Sequence, residues 1–423
     1  MKYTKIFIPV LPALILFLFS YSGCSDDPVN TIVTYQSPIT VSGKVLNIVN
    51  QASPNVMVQI GEQSVTTASD GSFSLNNIRM GYNLRLIDNT GINTKYFYGL
   101  TAGRLRLQGT QTINDSLQCE ISVSFPPEIL SPGVTGKIIF TDFNYVNAYG
   151  FLSQDLPMNV WLPDNSPVTG KIILITYKTD ASGKIISYEN FGQSAPLQVM
   201  NGGKYSYNFS AAEVALNPGE VSLSGTINKQ TGFNEGITNY FLTFSNKKTP
   251  NYSVLLAFEN ISGNNFNIIT PSNLPLEFSN MIFSYSTDGM VNNSELFKLP
   301  AGPSGISLDT KSAPELLTPE DNAVYVTSST LFSFTAGTGS GIYQVNLYDL
   351  TLQKNYAIYI SSNSFSLNDF SDLFPNGISN SVFKWSVEKI GYSNSLNEFA
   401  AIYSDRPDYF RTNTIERNFT TAK

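Results

Sequence analysis

From Ile39 onward the apolar residues recur at every second position over short runs, and Gly, Asn, Asp and Pro break the runs. "ITVSGKVL", "VMVQI" and "SFSL" follow this pattern, and "SDGSF" sets Asp70-Gly71 between "SVTTA" and "SFSL". Side chains of a strand alternate between its two faces. Val56, Val58 and Ile60 are therefore expected on one side, with Met57 and Gln59 on the other. Asp-Gly between alternating runs is hairpin chemistry, because glycine accepts the positive φ that tight turns demand. No apolar run of helical period is long enough to compete, apart from a short turn at "SAAEVAL". The expected fold class is all-β, built as tandem β-sandwiches.

Composition narrows the chemistry. The chain has 423 residues, 42% of them hydrophobic and 13% aromatic, enough for burial in two to four domains. Charged residues make up only 13%, about half the usual share. Without Lys2 and Lys5 there remain 23 basic against 32 acidic residues, a net charge of about −9. Such a surface repels phosphate backbones, so nucleic acid is not an expected partner.

Histidine is absent, which removes Ser-His-Asp and Cys-His catalysis. Cys24 and Cys119 are the only cysteines, so a zinc site lacks ligands. Cys119 lies in the alternating stretch "LQCEISVSF" and is expected to be a small buried hydrophobe. Asp70, Asp88, Asp288 and Asp321 are scattered turn residues, without the clustered spacing calcium needs. "GTGSG" at 337–341 has no following Lys and helix, and reads as a turn between strands. "SNKKT" and "DTKSA" offer Ser and Lys with no supporting motif. A glycosidase would need two converging carboxylates, whose separation a sequence does not give. The chain is expected to be no enzyme, with no catalytic residue, metal or cofactor.

The first thirty residues form a separate segment. Lys2 and Lys5 precede an apolar run from Ile6 to Phe19, shorter than the ~20 residues of a membrane-spanning helix. A charged start, a short apolar middle and a small-residue end make a secretory signal. "YSGC" resembles a bacterial lipobox, with Ser22 and Gly23 before Cys24 and Tyr21 where leucine is usual. The resemblance implies removal of residues 1–23 and lipid attachment at Cys24; the alternative is an ordinary secretion signal followed by a free thiol. Two or more acyl chains hold a protein firmly to a membrane, so Cys24 alone would be the tether. Asp26 and Asp27 resemble the acidic mark that sends some Gram-negative lipoproteins to the outer face. The implied location is the cell envelope, as an outer-membrane lipoprotein, and the implied partner is the membrane.

Residues 24–37 read as a tether. Beyond it, Gly43-x-Val45, Pro54-x-Val56-x-Val58, Thr67-x-x-Asp70-Gly71-x-Phe73-x-Leu75 and Gly81-Tyr82-x-Leu84 resemble the carboxypeptidase regulatory-like domain. That resemblance covers 38–125 and implies a seven-stranded transthyretin-like sandwich. Residues 126–310 are β-rich, as one large sandwich or two small ones, with a boundary possible near Pro218-Gly219. Gly-Lys-Ile recurs at 136, 170 and 183 at unequal spacings, which is no repeat array. In 311–423, Pro314-x-Leu316-x-x-Pro319, Phe332, Phe334 and Trp385 resemble an Ig-like, fibronectin type III-like domain. Val345, Leu347, Trp385 and Val387 would share its core.

Two functional readings follow. The first is a lipid-anchored envelope protein with a structural, adhesive or assembly role, its partner unknown. The second is a glycan-binding surface lipoprotein that captures substrate for a transporter. For that reading Tyr145, Tyr149 and Tyr409 are the candidate ligand residues, in loop-like stretches that combine aromatics with Asn and Asp. Exposed tyrosine is also ordinary on β-sandwich faces. Low charge density leaves open sheet edges with few guards, so pairing with other chains is a further expectation.

Overall fold

Alternation in the sequence becomes strands at nearly every place it occurs. The computed structural model describes residues 37–47, 51–109, 113–142, 147–151, 157–230, 237–244, 254–274, 278–288, 291–299, 305–374, 377–378, 380–391, 393, 395–401 and 410–422. Seven strands open the fold: β1 (Ile39–Leu46), β2 (Met57–Ile60), β3 (Gln63–Thr66), β4 (Ser72–Ile78), β5 (Tyr82–Ile87), β6 (Asn93–Leu100) and β7 (Arg104–Gln108). One sheet has the order β4-β1-β7 and the facing one β3-β2-β5-β6. Val56, Val58 and Ile60 are buried while Met57 is exposed, as the alternation requires. Gly71 takes φ +74° in its turn, and Asp70 Oδ1 accepts the Ser72 amide at 3.0 Å.

The same strand order occurs twice more. The second set is β8 (Gln118–Ser124), β9 (Val134–Thr141), β10 (Asn147–Phe151), β11 (Pro157–Trp161), β12 (Val168–Thr179), β13 (Ile185–Gln193), β14 (Leu197–Val199) and β15 (Lys204–Asn208). Its sheets run β11-β8-β15 and β10-β9-β12-β13, with β14 added on β12. The third set is β16 (Val221–Asn228), β17 (Ile237–Phe244), β18 (Val254–Ile261), β19 (Asn265–Thr270), β20 (Phe278–Asp288), β21 (Val291–Lys298) and β22 (Ile306–Asp309). Its sheets run β19-β16-β22 and β18-β17-β20-β21. In all three sets the first strand pairs antiparallel with a middle strand and parallel with the last. Gln118–Ser124, expected inside the 38–125 domain, therefore opens the second sandwich instead, because its ladders go to β11 and β15.

Two glycines mark the shared geometry. A Cβ on Gly43 would lie 2.2 Å from the Leu105 carbonyl oxygen, and one on Gly225 would lie 2.2 Å from that of Ile306. Each sits mid-way along a first strand, where the parallel last strand comes too close for a side chain. Cys119 is buried in the second sandwich, and burial pushes its thiol up to about 11.

The last unit contains β23 (Leu316–Thr318), β24 (Ala323–Val326), β25 (Leu331–Phe334), β26 (Ile342–Asp349), β27 (Lys354–Ile360), β28 (Ser364–Ser366), β29 (Val382–Ile390), helix α1 (Leu396–Ala401), β30 (Phe410–Asn413) and β31 (Arg417–Thr421). Val345, Leu347, Trp385 and Val387 do share its core, with Phe332, Phe365 and Phe419. Phe332 meets Trp385 edge to face, ring centroids 5.1 Å apart. "GTGSG" forms the turn from β25 to β26, with Gly337 and Gly339 at positive φ.

These units are joined through their sheets. β6 pairs in parallel with β27, and β21 pairs antiparallel with β30. One 14-stranded sheet thus runs through the third sandwich, the last unit and the first sandwich. Helix α1 reinforces one junction: Phe399 packs on Phe97 and Tyr359, and Asn397 Oδ1 accepts the amides of Thr101 and Ala102 at 2.7 and 3.1 Å. The edges of β6 and β21 are satisfied within the chain.

The second sandwich is held by burial on both faces of its larger sheet. Ile172 and Leu174 enter the core around Cys119 and Ile121. Ile173, Ile175 and Tyr177 point the other way, into a core with Leu223, Tyr240 and Phe266 of the third sandwich. Polar groups inside that junction are paired: Tyr188 and Tyr240 hydroxyls lie 3.1 Å apart, and Glu259 Oε2 accepts the Ile185 amide at 3.0 Å. Gln51 ties the first sandwich to the second, its Nε2 donating to the Leu162 carbonyl at 3.1 Å. Pro38–Lys423 forms one compact unit.

Candidate functional site

Of the residues expected to carry function, Cys24, Tyr145 and Tyr409 lie outside the described residues. Tyr149 is on β10 opposite Ile139, and its side chain is likewise outside the description. No helix among the described residues is long and apolar enough to cross a membrane. Among them no group of three or more His, Cys, Asp or Glu could hold a metal ion.

Buried carboxylates serve as joints between strands. Glu295 on β21 accepts the Lys311 amide at 2.6 Å and faces its ammonium at 3.4 Å. Burial pushes its carboxyl up to about 7, with Lys311 opposing. Glu388 on β29 meets Arg411 on β30 at 2.8 Å, and burial again raises its carboxyl despite the guanidinium. Glu259 is raised by burial too. Each carboxylate has an identified partner at a strand junction.

Among the described residues an aromatic row, half-buried apart from exposed Phe258, lies on the outer face of the third sandwich. Phe258, Phe241, Phe283 and Tyr285 step across β18, β17 and β20, with centroids 5.6–6.1 Å apart and planes within 26°. Rings so close and so nearly parallel are stacked on one another. Three of the four rings are half-buried, and the row packs along the sheet as a ladder.

A different face offers a concave polar surface. On β26, β27 and β29 the side chains that alternate with the Trp385 core point outward. Their cross-strand rows are Ser386–Asn346–Ala357 and Lys384–Tyr348–Asn355. One row further along, Gln344 and Tyr359 lie beneath the cover of α1 and the first sandwich. Where that cover ends, the small side chains of Ala357 and Ser386 leave a depression of about 280 Å³, with Glu416 at its edge. Lys384 Nζ is 3.6 Å from Glu416 Oε2. Gln344 Nε2 donates to Asn346 Oδ1 at 2.7 Å, which orients that amide with its nitrogen left over. Asn355 Nδ2 donates to Asn93 at 3.2 Å and keeps its own oxygen. Among the described residues, neither the Tyr348 hydroxyl nor Ser386 Oγ has a hydrogen-bond partner.

Sequence reading missed this groove. The outward polar alternation in "IYQVNLYD" and "VFKWSVEK" was visible. Nothing in the sequence showed that these strands are neighbours, or where the cover over them stops.

No family model matches the chain, and no curated protein does. Several solved structures share parts of it. A putative adhesin from Bacteroides ovatus is 9% identical over 48% of this chain and 94% of that one, with a TM-score of 0.16. The major pilin subunit of Bacillus cereus is 8% identical over 64% and 98%, at 0.14. A tetra-tandem repeat from the extending region of a large adhesion protein is 13% identical over 91% and 99%, at 0.18. A leucine-rich repeat protein of Bacteroides thetaiotaomicron is 13% identical at 0.16, and the chain spans 26% of its length. The fold of this chain is all-β, and likenesses this distant say nothing of its partners.

Proposed function

We propose that this protein is a non-enzymatic structural or adhesive component of a bacterial cell surface, tethered by lipid on Cys24. The observation that carries the reading is the welding of four β-units through one 14-stranded sheet and a doubly buried second sheet. Such a body holds its surfaces at fixed positions, which suits a scaffold or a contact module. The charge-paired carboxylates act as joints, and this too fits a load-holding frame. The lipobox-like "YSGC" supports the anchor.

The test is a set of three measurements on producing cells. Wild-type protein is expected to incorporate an alkyne-tagged palmitate, to fractionate with membranes and to be degraded by protease added to intact cells. Cys24→Ser is expected to lose the label and the membrane association. An unlabelled wild type would remove the anchor, and full protection from added protease would remove the surface role. Capture of glycans is the second reading, favoured by the concave polar groove on β26, β27 and β29.

A further inference from the structure

We infer that the groove over Asn346, Tyr348, Asn355, Lys384, Ser386 and Glu416 is a binding site for a neutral saccharide of one or two residues. The inference rests on the second reading above, and places that activity at a position no loop tyrosine suggested.

Size comes first. At about 280 Å³ the depression lies just below the ~300–1,000 Å³ of ordinary small-molecule sites. It suits a sugar ring or two and is too small for a folded partner.

The polar inventory comes next. Asn346 Nδ2 and the Lys384 ammonium donate, Asn355 Oδ1 and the Glu416 carboxylate accept, and the hydroxyls of Tyr348 and Ser386 do both. Donors and acceptors thus alternate over one small surface. A sugar hydroxyl also donates and accepts, so adjacent hydroxyls match such a surface. A phosphate or carboxylate would meet Glu416 and Asn355 Oδ1 as repulsive neighbours, and a metal ion would meet Lys384. The Lys384–Glu416 pair cancels its own charge at the groove edge, which favours a neutral ligand over either ion.

Pre-organisation is the third strand of the argument. Asn346 and Asn355 are each fixed by one amide hydrogen bond, from Gln344 and to Asn93. Their remaining polar atoms therefore point without further ordering cost. The residues lie on adjacent strands of a sheet whose far face is the Trp385 core, so the floor is rigid. Tyr348 supplies the outward-facing ring of the site, while Tyr356 and Trp385 of the lining belong to the core beneath. The exposed Lys384–Glu416 pair adds little to stability, so its arrangement has no evident structural purpose.

The experiment is an array of neutral and acidic glycans probed with the full chain in detergent micelles, beside variants checked for an unchanged melting temperature. Tyr348→Ala and the double variant Asn346→Ala/Asn355→Ala are expected to lose at least tenfold in affinity for whichever neutral glycan binds. Binding is expected to persist in 0.5 M salt. Ser386→Val, a compact replacement within β29, serves if either variant fails to fold. Glycan binding that survives all groove variants would overturn this assignment and leave the glycan reading in place. Absence of binding to every glycan would overturn both, with the surface role untouched. Binding abolished by salt would mean a charged ligand and would overturn the neutral class.

Discussion

Glu295 shows how a single buried residue can make the whole protein sensitive to pH. Its carboxyl is raised to about 7 in the folded state, against about 4.3–4.5 in an unfolded chain. The folded protein therefore binds this proton more tightly than the unfolded chain does. Stability is greatest below about pH 4.5 as far as this group is concerned, and it falls as pH rises to about 7. The window corresponds to at most about 3.5 kcal/mol. Glu295→Gln keeps an oxygen for the Lys311 amide and has no proton to lose. Its melting temperature is expected to vary less between pH 4.5 and 7 than that of the wild type. Glu259 and Glu388 are raised in the same direction, so the flattening is partial. Equal pH slopes in the two proteins would mean that Glu295 is solvated like an ordinary surface acid. None of this was visible in the sequence, where Glu295 is one acid in "NNSELF". Asp70, by contrast, was legible, since its role in the Asp-Gly turn is local.

Strand β12 carries the lesson at the scale of an element. Its sequence "VTGKIILITYKT" holds consecutive apolar residues where a half-buried strand would alternate. Ile172, Ile173, Leu174 and Ile175 are all 0% exposed, as in a strand covered on both faces. Substituting Ile172 by Ala opens the core of the second sandwich, and substituting Ile173 by Ala opens its junction with the third. Each change is expected to cost about 2–5 kcal/mol in chemical denaturation, the range for buried Ile to Ala. A strand in an isolated sandwich would respond at only one of the two positions. If Ile173→Ala costs under about 1 kcal/mol, the junction with the third sandwich is not formed in solution. The apolar run told the reader that the strand is buried, but the partner on its second face comes from 50 residues further on. Short periodicity reports a residue's own face, and it is silent on what covers that face. The groove escaped notice for the same reason. Its floor is legible as polar alternation in β26 and β29, whereas its existence depends on where helix α1 stops covering the sheet.

Across the molecule, edges decide whether four β-units behave as beads or as one body. Open sandwiches leave unpaired strand edges that invite other chains. Here β6 is closed by β27 and β21 by β30, so two vulnerable edges become internal ladders. The first and last units share a core as well, since Ile342, Tyr359, Ile390 and Phe399 pack with Val45, Leu84 and Leu107. Removing one unit would expose both a ladder and part of a core, so no unit can unfold without destabilising its neighbour. Chains of independent domains melt in separate steps, and they give a calorimetric enthalpy larger than the van't Hoff value. The soluble Ser25–Lys423 chain is expected to melt in a single calorimetric transition, with the two enthalpies in near agreement. Hydrogen exchange should then be slowest in β26 and β29 at the centre of the 14-stranded sheet, and equally slow in β6, which in a free-standing sandwich would be an edge. Separate transitions, or fast exchange in β6 beside a slow β26, would mean that the units are beads after all. A frame with such loose joints could not hold its contact surfaces in fixed relation.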